Sequence, residues 1–177
     1  MRDLRIEPCQ TEHLDLLEAG MPSGPSRFHH GRLARQEQGV STYLIAWIAD
    51  VPHGHAEVRW DGGNASEVTS RFPGCVMINA LDVWPAPMRS HGIGTALICE
   101  AERQAQIRGF GRIGLGVADD NPRAAALYLR LGYGESGCRY PDRYEVVDDT
   151  GTCRIITEPC RFLVKELHAS QTSRERS

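Results

Sequence analysis

The sequence predicts one mixed α/β domain over residues 1–167, followed by a polar tail over 168–177. Three observations lead there. Val76 to Val83 is almost continuously apolar, broken by Asn79 and Asp82, which is the pattern of a central strand covered on both faces. A helix pattern, a strand pattern and a second helix pattern follow it in order. The composition of the 177 residues, 41% hydrophobic and 24% charged, is that of a globular chain. Such a chain can bury roughly 70% of its unfolded surface without staples.

The elements follow from local patterns. Leu4 to Pro8 alternates apolar and polar residues and predicts a strand. Thr11 to Ala19 predicts a helix stopped by Gly20 and Pro22. Met21 to Gly31 reads as a loop and Arg32 to Gln38 as a short helix ending at Gly39. Thr42 to Ala49 is rich in β-branched and aromatic residues; it turns at Asp50–Pro52 and returns as a strand over His55 to Trp60. Asp61 to Asn64 is another turn. After the central strand, Ile93, Leu97, Ala101 and Ala105 repeat every four residues in a helix over Gly94 to Arg108, with Gly109 at its stop. Arg112 to Val117 is a strand. Asn121 caps a helix over Pro122 to Leu131, and Gly132 ends it. Tyr133 to Tyr140, the region of Val146, and Arg161 to Leu167 supply late strands.

Several classes are excluded. The formal charge is −3, with 20 basic and 23 acidic residues, so no basic face for nucleic acid is expected. No run approaches 18 apolar residues, so no membrane span is expected. The first twenty residues scatter charges where a signal peptide is apolar, which points to a cytoplasmic location. The six cysteines show no C-x-x-C spacing; free thiols are expected, with no metal site. His53 and His55 invite a metal reading, but no third ligand has suitable spacing.

The chemistry gathers at the end of the central strand. There Gly92-Ile93-Gly94 opens a helix. Glycines allow a ligand close to the backbone, and the free N–H groups of a first helical turn attract an anion. An ordinary strand-to-helix turn explains the same glycines equally well. Gly109-Phe110-Gly111-Arg112-Ile113-Gly114 also matches G-x-G-x-x-G, but it leads from a helix into a strand, the reverse of the dinucleotide-binding context.

Arg89-Ser90-His91-Gly92-Ile93-Gly94 resembles the R/Q-x-x-G-x-G/A signature of the GNAT superfamily of acyl-CoA-dependent N-acyltransferases. Asn121-Pro122-Arg123-Ala124-Ala125-Ala126-Leu127-Tyr128, running on to Gly132-Tyr133, is similar to that superfamily's N-x-x-A-x-x-L-Y-x-x-x-G-[FY] segment. The matched stretch, Ala80 to Tyr133, covers 54 residues. Ser90 departs from the glycine common at that position.

The resemblance implies a mostly antiparallel sheet with one splayed parallel pair, flanked by about four helices. It implies acetyl-CoA as co-substrate, and no metal. Leu81, Asp82 and Val83 would run along the pantetheine arm, with the Val83 N–H polarising the thioester carbonyl. Arg89, Ser90, His91, Gly92, Ile93, Gly94 and Thr95 would hold the pyrophosphate. Asn121 and Ala124 would line the arm, and Tyr128 would protonate the leaving thiolate. Asp82 and Glu57 are the candidate bases for the amine. A core aromatic is the plainer reading of Tyr128, a helix cap of Asn121, and a solvated or salt-bridged carboxylate of Asp82 and Glu57.

The acceptor site is the thinner part of the reading. By the same resemblance the first loop and the late strands shape it, which points to Phe28, His29, Trp60, Tyr140 and Asp142, with Asp61 beside Trp60. Glu145, Asp148 and Asp149 join Asp142 in an acidic stretch that suits a cationic amine, or forms a solvated hairpin tip. The expected acceptor is a small-molecule primary amine such as an antibiotic, polyamine or other metabolite. A protein N-terminus or lysine is the alternative, and a non-catalytic acyl-CoA sensor is the alternative of another class. A homodimer is expected from the habits of the superfamily.

Overall fold

The structure, a computed structural model, describes residues 3–148 and 150–167. The tail expected over 168–177, and Asp149, lie outside the described residues. Among the described residues seven strands form one sheet: β1 (Leu4–Pro8), β2 (Ser41–Ile48), β3 (Val51–Arg59), β4 (Val76–Val83), β5 (Arg112–Ala118), β6 (Gly134–Val147) and β7 (Cys153–Glu166). Their order is β1-β2-β3-β4-β5-β7-β6. Five α-helices cover it: α1 (Leu14–Gly20), α2 (Phe28–Glu37), α3 (Ser66–Arg71), α4 (Ile93–Ile107) and α5 (Pro122–Arg130).

Every neighbouring pair is antiparallel except β4–β5. That parallel pairing spans only Val76–Ile78 against Ile113–Leu115. Beyond it, β4 stays with β3 through Val83 while β5 stays with β7 through Ala118. A bulge accompanies the parting. Glu57 lies opposite Asn79 but His55 lies opposite Asp82, so β4 carries one extra residue, and Ala80 takes a left-handed φ of 49°.

Alternation sorts β2 and β3 onto two covered faces. Leu44, Ala46, Ala56 and Val58 pack with Ile93, Leu97 and Ala101 of α4 on one face. Tyr43, Ile45 and Trp47 pack with Leu17 and Leu33 of α1 and α2 on the other. Covering both faces explains why Ser41 to Trp47 are buried without a break. A third cluster, including Val68, Met77, Cys138, Tyr140 and Phe162, lies under α3 and the late strands.

Three elements differ from the sequence reading. α2 begins at Phe28, four residues early, because Phe28, His29 and Leu33 share its inward side despite Gly31. α3 raises the helix number to five; its six residues, SEVTSR, carry too few apolar positions for a period to show. β6 and β7 are each 14 residues long because their outer half is a two-stranded ribbon beyond β5, with polar residues on both faces.

The G-x-G-x-x-G match is absorbed by packing. A Cβ at Gly114 would collide with the ring of Phe162, which is fully buried, whereas one at Gly111 meets nothing within 4 Å. Gly114→Ala should therefore cost about 1–3 kcal/mol through overpacking, and Gly111→Ala less than about 0.5 kcal/mol. Urea denaturation of the two variants checks the contrast.

Candidate active site

The parting of β4 and β5 leaves the inner edges of Asn79–Val83 and Gly116–Ala118 without strand partners across the gap. Backbone N–H and C=O groups there are open to an extended ligand arm. At the gap's end the chain passes through a tight turn at Ala86–Met88 into α4. Gly92 stands at the N-cap with a φ of 85°, and no side chain caps the helix. The N–H groups of Ile93, Gly94 and Thr95 find no acceptor among the described residues. A bare N-terminus with an αL glycine suits an anion.

Ser90 holds the left-handed conformation as well, at φ 66°, which accounts for the usual glycine at that position. Its hydroxyl accepts a hydrogen bond from Arg123 of α5, tying the loop to the second motif. Arg89 turns back to the strand end: its Nε donates to the Val83 carbonyl at 3.0 Å and its Nη2 to Asp82 Oδ1 at 3.3 Å. His91 Nδ1–H donates to the Arg89 carbonyl at 2.9 Å. The Val83 N–H donates at 2.7 Å to Asp82 Oδ1. A thioester carbonyl at Val83 therefore has to displace that carboxylate.

Asn121 caps α5 by accepting the Ala124 N–H at 3.1 Å, and its side-chain NH₂ stays exposed. Tyr128 is 8% exposed and shares one apolar cluster with Leu81, Val83, Ile93 and Val117. Burial pushes its phenol pKa up, which keeps the proton on the oxygen. Leu81 and Val83 lie in the same cluster, and their main chains run along the gap.

The opposite face of the sheet holds a polar network that the sequence reading missed. Arg35 Nε and Nη2 donate to both oxygens of Glu57, at 2.7 and 2.8 Å. Arg32 Nε stands 3.9 Å from Glu57 Oε2. Arg32 Nη1 reaches His55 Nε2 at 3.2 Å, His55 Nδ1 reaches the Tyr43 hydroxyl at 2.9 Å, that hydroxyl reaches His29 Nδ1 at 2.6 Å, and His29 Nε2 reaches the Met21 carbonyl at 2.8 Å. Arginine only donates and a carbonyl only accepts. So His55 accepts at Nε2 and donates at Nδ1, Tyr43 donates to His29 Nδ1, and His29 donates from Nε2. Both histidines are neutral, and burial first, with Arg32 nearby, holds both pKa values below the ordinary value, that of His55 well below.

This geometry revises three expected roles. His29 is fully buried with both ring nitrogens used, so it offers no free ring atom to a ligand. Trp60 falls on the α4 face, stacked on Phe110 at 5.8 Å and under Arg108 at 4.2 Å, because it continues the alternation of Ala56 and Val58. Glu57 is committed to Arg35 through both oxygens, which fits the salt-bridged reading better than that of a free base. Phe28 remains beside His55, with ring centroids 6.0 Å apart. Tyr140 lies against Gly116 of β5, its hydroxyl where a Cβ would sit. Asp142 is partly buried opposite Glu158, and burial raises its pKa. Asp61 is held by Arg59 through both oxygens.

The stripe His55-x-Glu57-x-Arg59 was the signal for the network: on a strand whose alternate residues are apolar it reads as a solvated face, but α2 covers it. Among the described residues no three His, Cys, Asp or Glu side chains form a metal-holding group, and no helix is long and apolar enough to cross a membrane. A surface depression of about 330 Å³ on the β6–β7 ribbon is lined by Arg139, Tyr140, Pro141, Thr157, Pro159 and Cys160.

The family model described as the acetyltransferase (GNAT) family matches residues 9–133. The chain belongs to the GNAT family. Its fold is shared by an N-acetyltransferase from Staphylococcus aureus at 13% identity, with a TM-score of 0.67 and coverage of 94% of this chain and 99% of that one. A ribosomal-protein-alanine N-acetyltransferase from Brucella melitensis is 18% identical, with a TM-score of 0.63 and coverage of 92% and 99%. A GNAT family acetyltransferase from Elizabethkingia anophelis, solved with acetyl-CoA bound, is 17% identical, with a TM-score of 0.60 and coverage of 94% and 100%. A comparison with curated protein sequences gives no match. The parted strands and the bare start of α4 thus belong to a chain of the GNAT family.

The neutral histidines have a thermodynamic consequence. An unfolded chain protonates His29 and His55 as pH falls through about 6.5, while the native chain resists. The unfolded state then binds more protons, so stability falls with pH below that value. The slope should approach about 1.4 kcal/mol per pH unit for His55, whose pKa lies well below the ordinary value, with a smaller addition from His29. Urea denaturation between pH 7.5 and 5 measures it; a flat profile contradicts the neutral assignment.

Proposed function

We propose that the protein transfers the acetyl group of acetyl-CoA to the primary amine of a small molecule, by direct attack in a ternary complex. The observation that carries the donor half is the parting of β4 and β5 beside the uncapped N-terminus of α4. The gap offers main-chain partners to the pantetheine arm, and Ser90 to Thr95 offer N–H groups to the pyrophosphate, with Arg89 at the rim. Asn121 and Ala124 flank the arm.

The amine nitrogen bonds to the thioester carbon while the carbon–sulfur bond breaks. The carbonyl takes the Val83 N–H from Asp82. Tyr128 gives its proton to the departing sulfur, and the amine's proton leaves through a base and restores the phenol. A phenol of pKa about 10 or above donates only in step with departure. Asp82 is the better of the two candidate bases. Its side chain is 37% exposed, and it is released as the thioester arrives, whereas Glu57 stays locked on Arg35.

The small-molecule reading rests on β6, which packs against the Gly24–Ser26 turn and narrows the acceptor side. A relative named for a ribosomal-protein alanine keeps a protein N-terminus as the second reading.

Calorimetry should show acetyl-CoA binding to the unaltered protein, and a screen of thiol release across aminoglycosides, polyamines, amino acids and peptides identifies the acceptor. Tyr128→Phe should keep that binding but lower kcat by about a hundredfold or more. Unchanged turnover removes the acid role of Tyr128, and absence of acetyl-CoA binding removes the whole reading.

A further inference from the structure

Between α2 and β3 the guanidinium groups of Arg32, Arg35 and Arg59 lie near the carboxylates of Glu57 and Asp61. Arg35 holds Glu57 and Arg59 holds Asp61, each through two hydrogen bonds. Arg32 is left over. Its one carboxylate contact among the described residues is the 3.9 Å approach to Glu57, which Arg35 already occupies. Its other neighbours are uncharged: the neutral ring of His55, the Phe28 ring at 4.5 Å and the Tyr43 ring at 5.5 Å. Yet the Arg32 side chain is only 15% exposed.

An arginine cannot shed its proton, and a cation withdrawn from water without a matching anion is costly. The guanidinium is also held in place. The hydrogen-bond chain from Met21 to His55 has a single consistent donor order, and it presents the His55 Nε2 lone pair to Arg32. Register puts this group one strand from the reacting end. His55 and Glu57 sit opposite Asp82 and Asn79, on the part of β4 that has parted from β5.

We infer that the acceptor amine carries a carboxylate and that Arg32 binds it, so the substrate is of amino-acid chemistry. The inference rests on the reading of the protein as a small-amine acetyltransferase. A carboxylate gives Arg32 the fork-shaped partner it lacks. A polyamine or aminoglycoside adds positive charge beside a surplus cation, which disfavours it. A zwitterion presents its carboxylate to Arg32 and leaves its amine for the side of Asp82.

The test measures thiol release from acetyl-CoA with the twenty standard amino acids, each as free acid and as carboxamide, beside spermidine and kanamycin. At least one free acid should be turned over with a kcat/KM about ten- to a hundredfold above its carboxamide, the span of a charged hydrogen-bonded pair. Arg32→Gln should erase that ratio chiefly through KM, and Arg32→Lys should restore part of it, with thermal melts confirming the fold of each. The ratio in the unaltered protein decides the matter even if a variant does not fold. Equal turnover of acid and carboxamide, or a preference for spermidine or kanamycin, overturns this inference and leaves acetyl transfer to small amines standing. Turnover of no amine by a protein that binds acetyl-CoA overturns both.

Discussion

Three residue pairs hold β4 to β5, and the rest of the molecule is arranged around where that pairing stops. Continuing the ladder would require β4 to follow β5 past Leu115. Instead the extra residue at Ala80 keeps β4 aligned with β3, while β5 follows β7. Two antiparallel blocks thus share one short seam. The opening beyond it exposes unpaired backbone edges, which a soluble sheet seldom leaves in its centre. The same strand end feeds directly into α4, whose glycine N-cap leaves its first N–H groups free. A slot for an extended arm and a seat for an anion therefore arise from one interruption in one ladder.

The second constraint is electrostatic. Placing Glu57, Arg32 and Arg35 between α2 and the sheet removes charges from water, and the two bonds from Arg35 offset only part of that. His29 and His55 avoid the same difficulty by remaining neutral, each nitrogen satisfied by a partner that allows one tautomer. The result is a rigid polar wall behind β3. Near the strand end, Asp82 and Arg89 form a looser, half-exposed pair that holds the Val83 N–H until something competes for it.

Legibility divided along the same line. β4, β5, α4 and α5 were readable because each has a strong apolar pattern, and the helices have explicit stops: Gly109 and Gly132 after them, Asn121 and Pro122 before the second. The two motifs lie on those elements, so they were readable with them. α3 and the outer ribbon of β6 and β7 bury too little to leave a pattern. His29 and Trp60 were placed on the acceptor side by the family resemblance, and packing put one inside the wall and the other on the far face.

By itself the sequence determined the order of elements, the glycine and cap positions, and the donor chemistry, because these depend on contacts between residues close along the chain. The tertiary structure alone decided which polar side chains meet. Arg32, Arg35, Tyr43, His55 and Glu57 come from one helix and two strands, and their partnership depends on α2 lying across β2 and β3. Their donor order, their charge states and the unmatched cation follow from burial and three-dimensional approach, which local spacing does not encode.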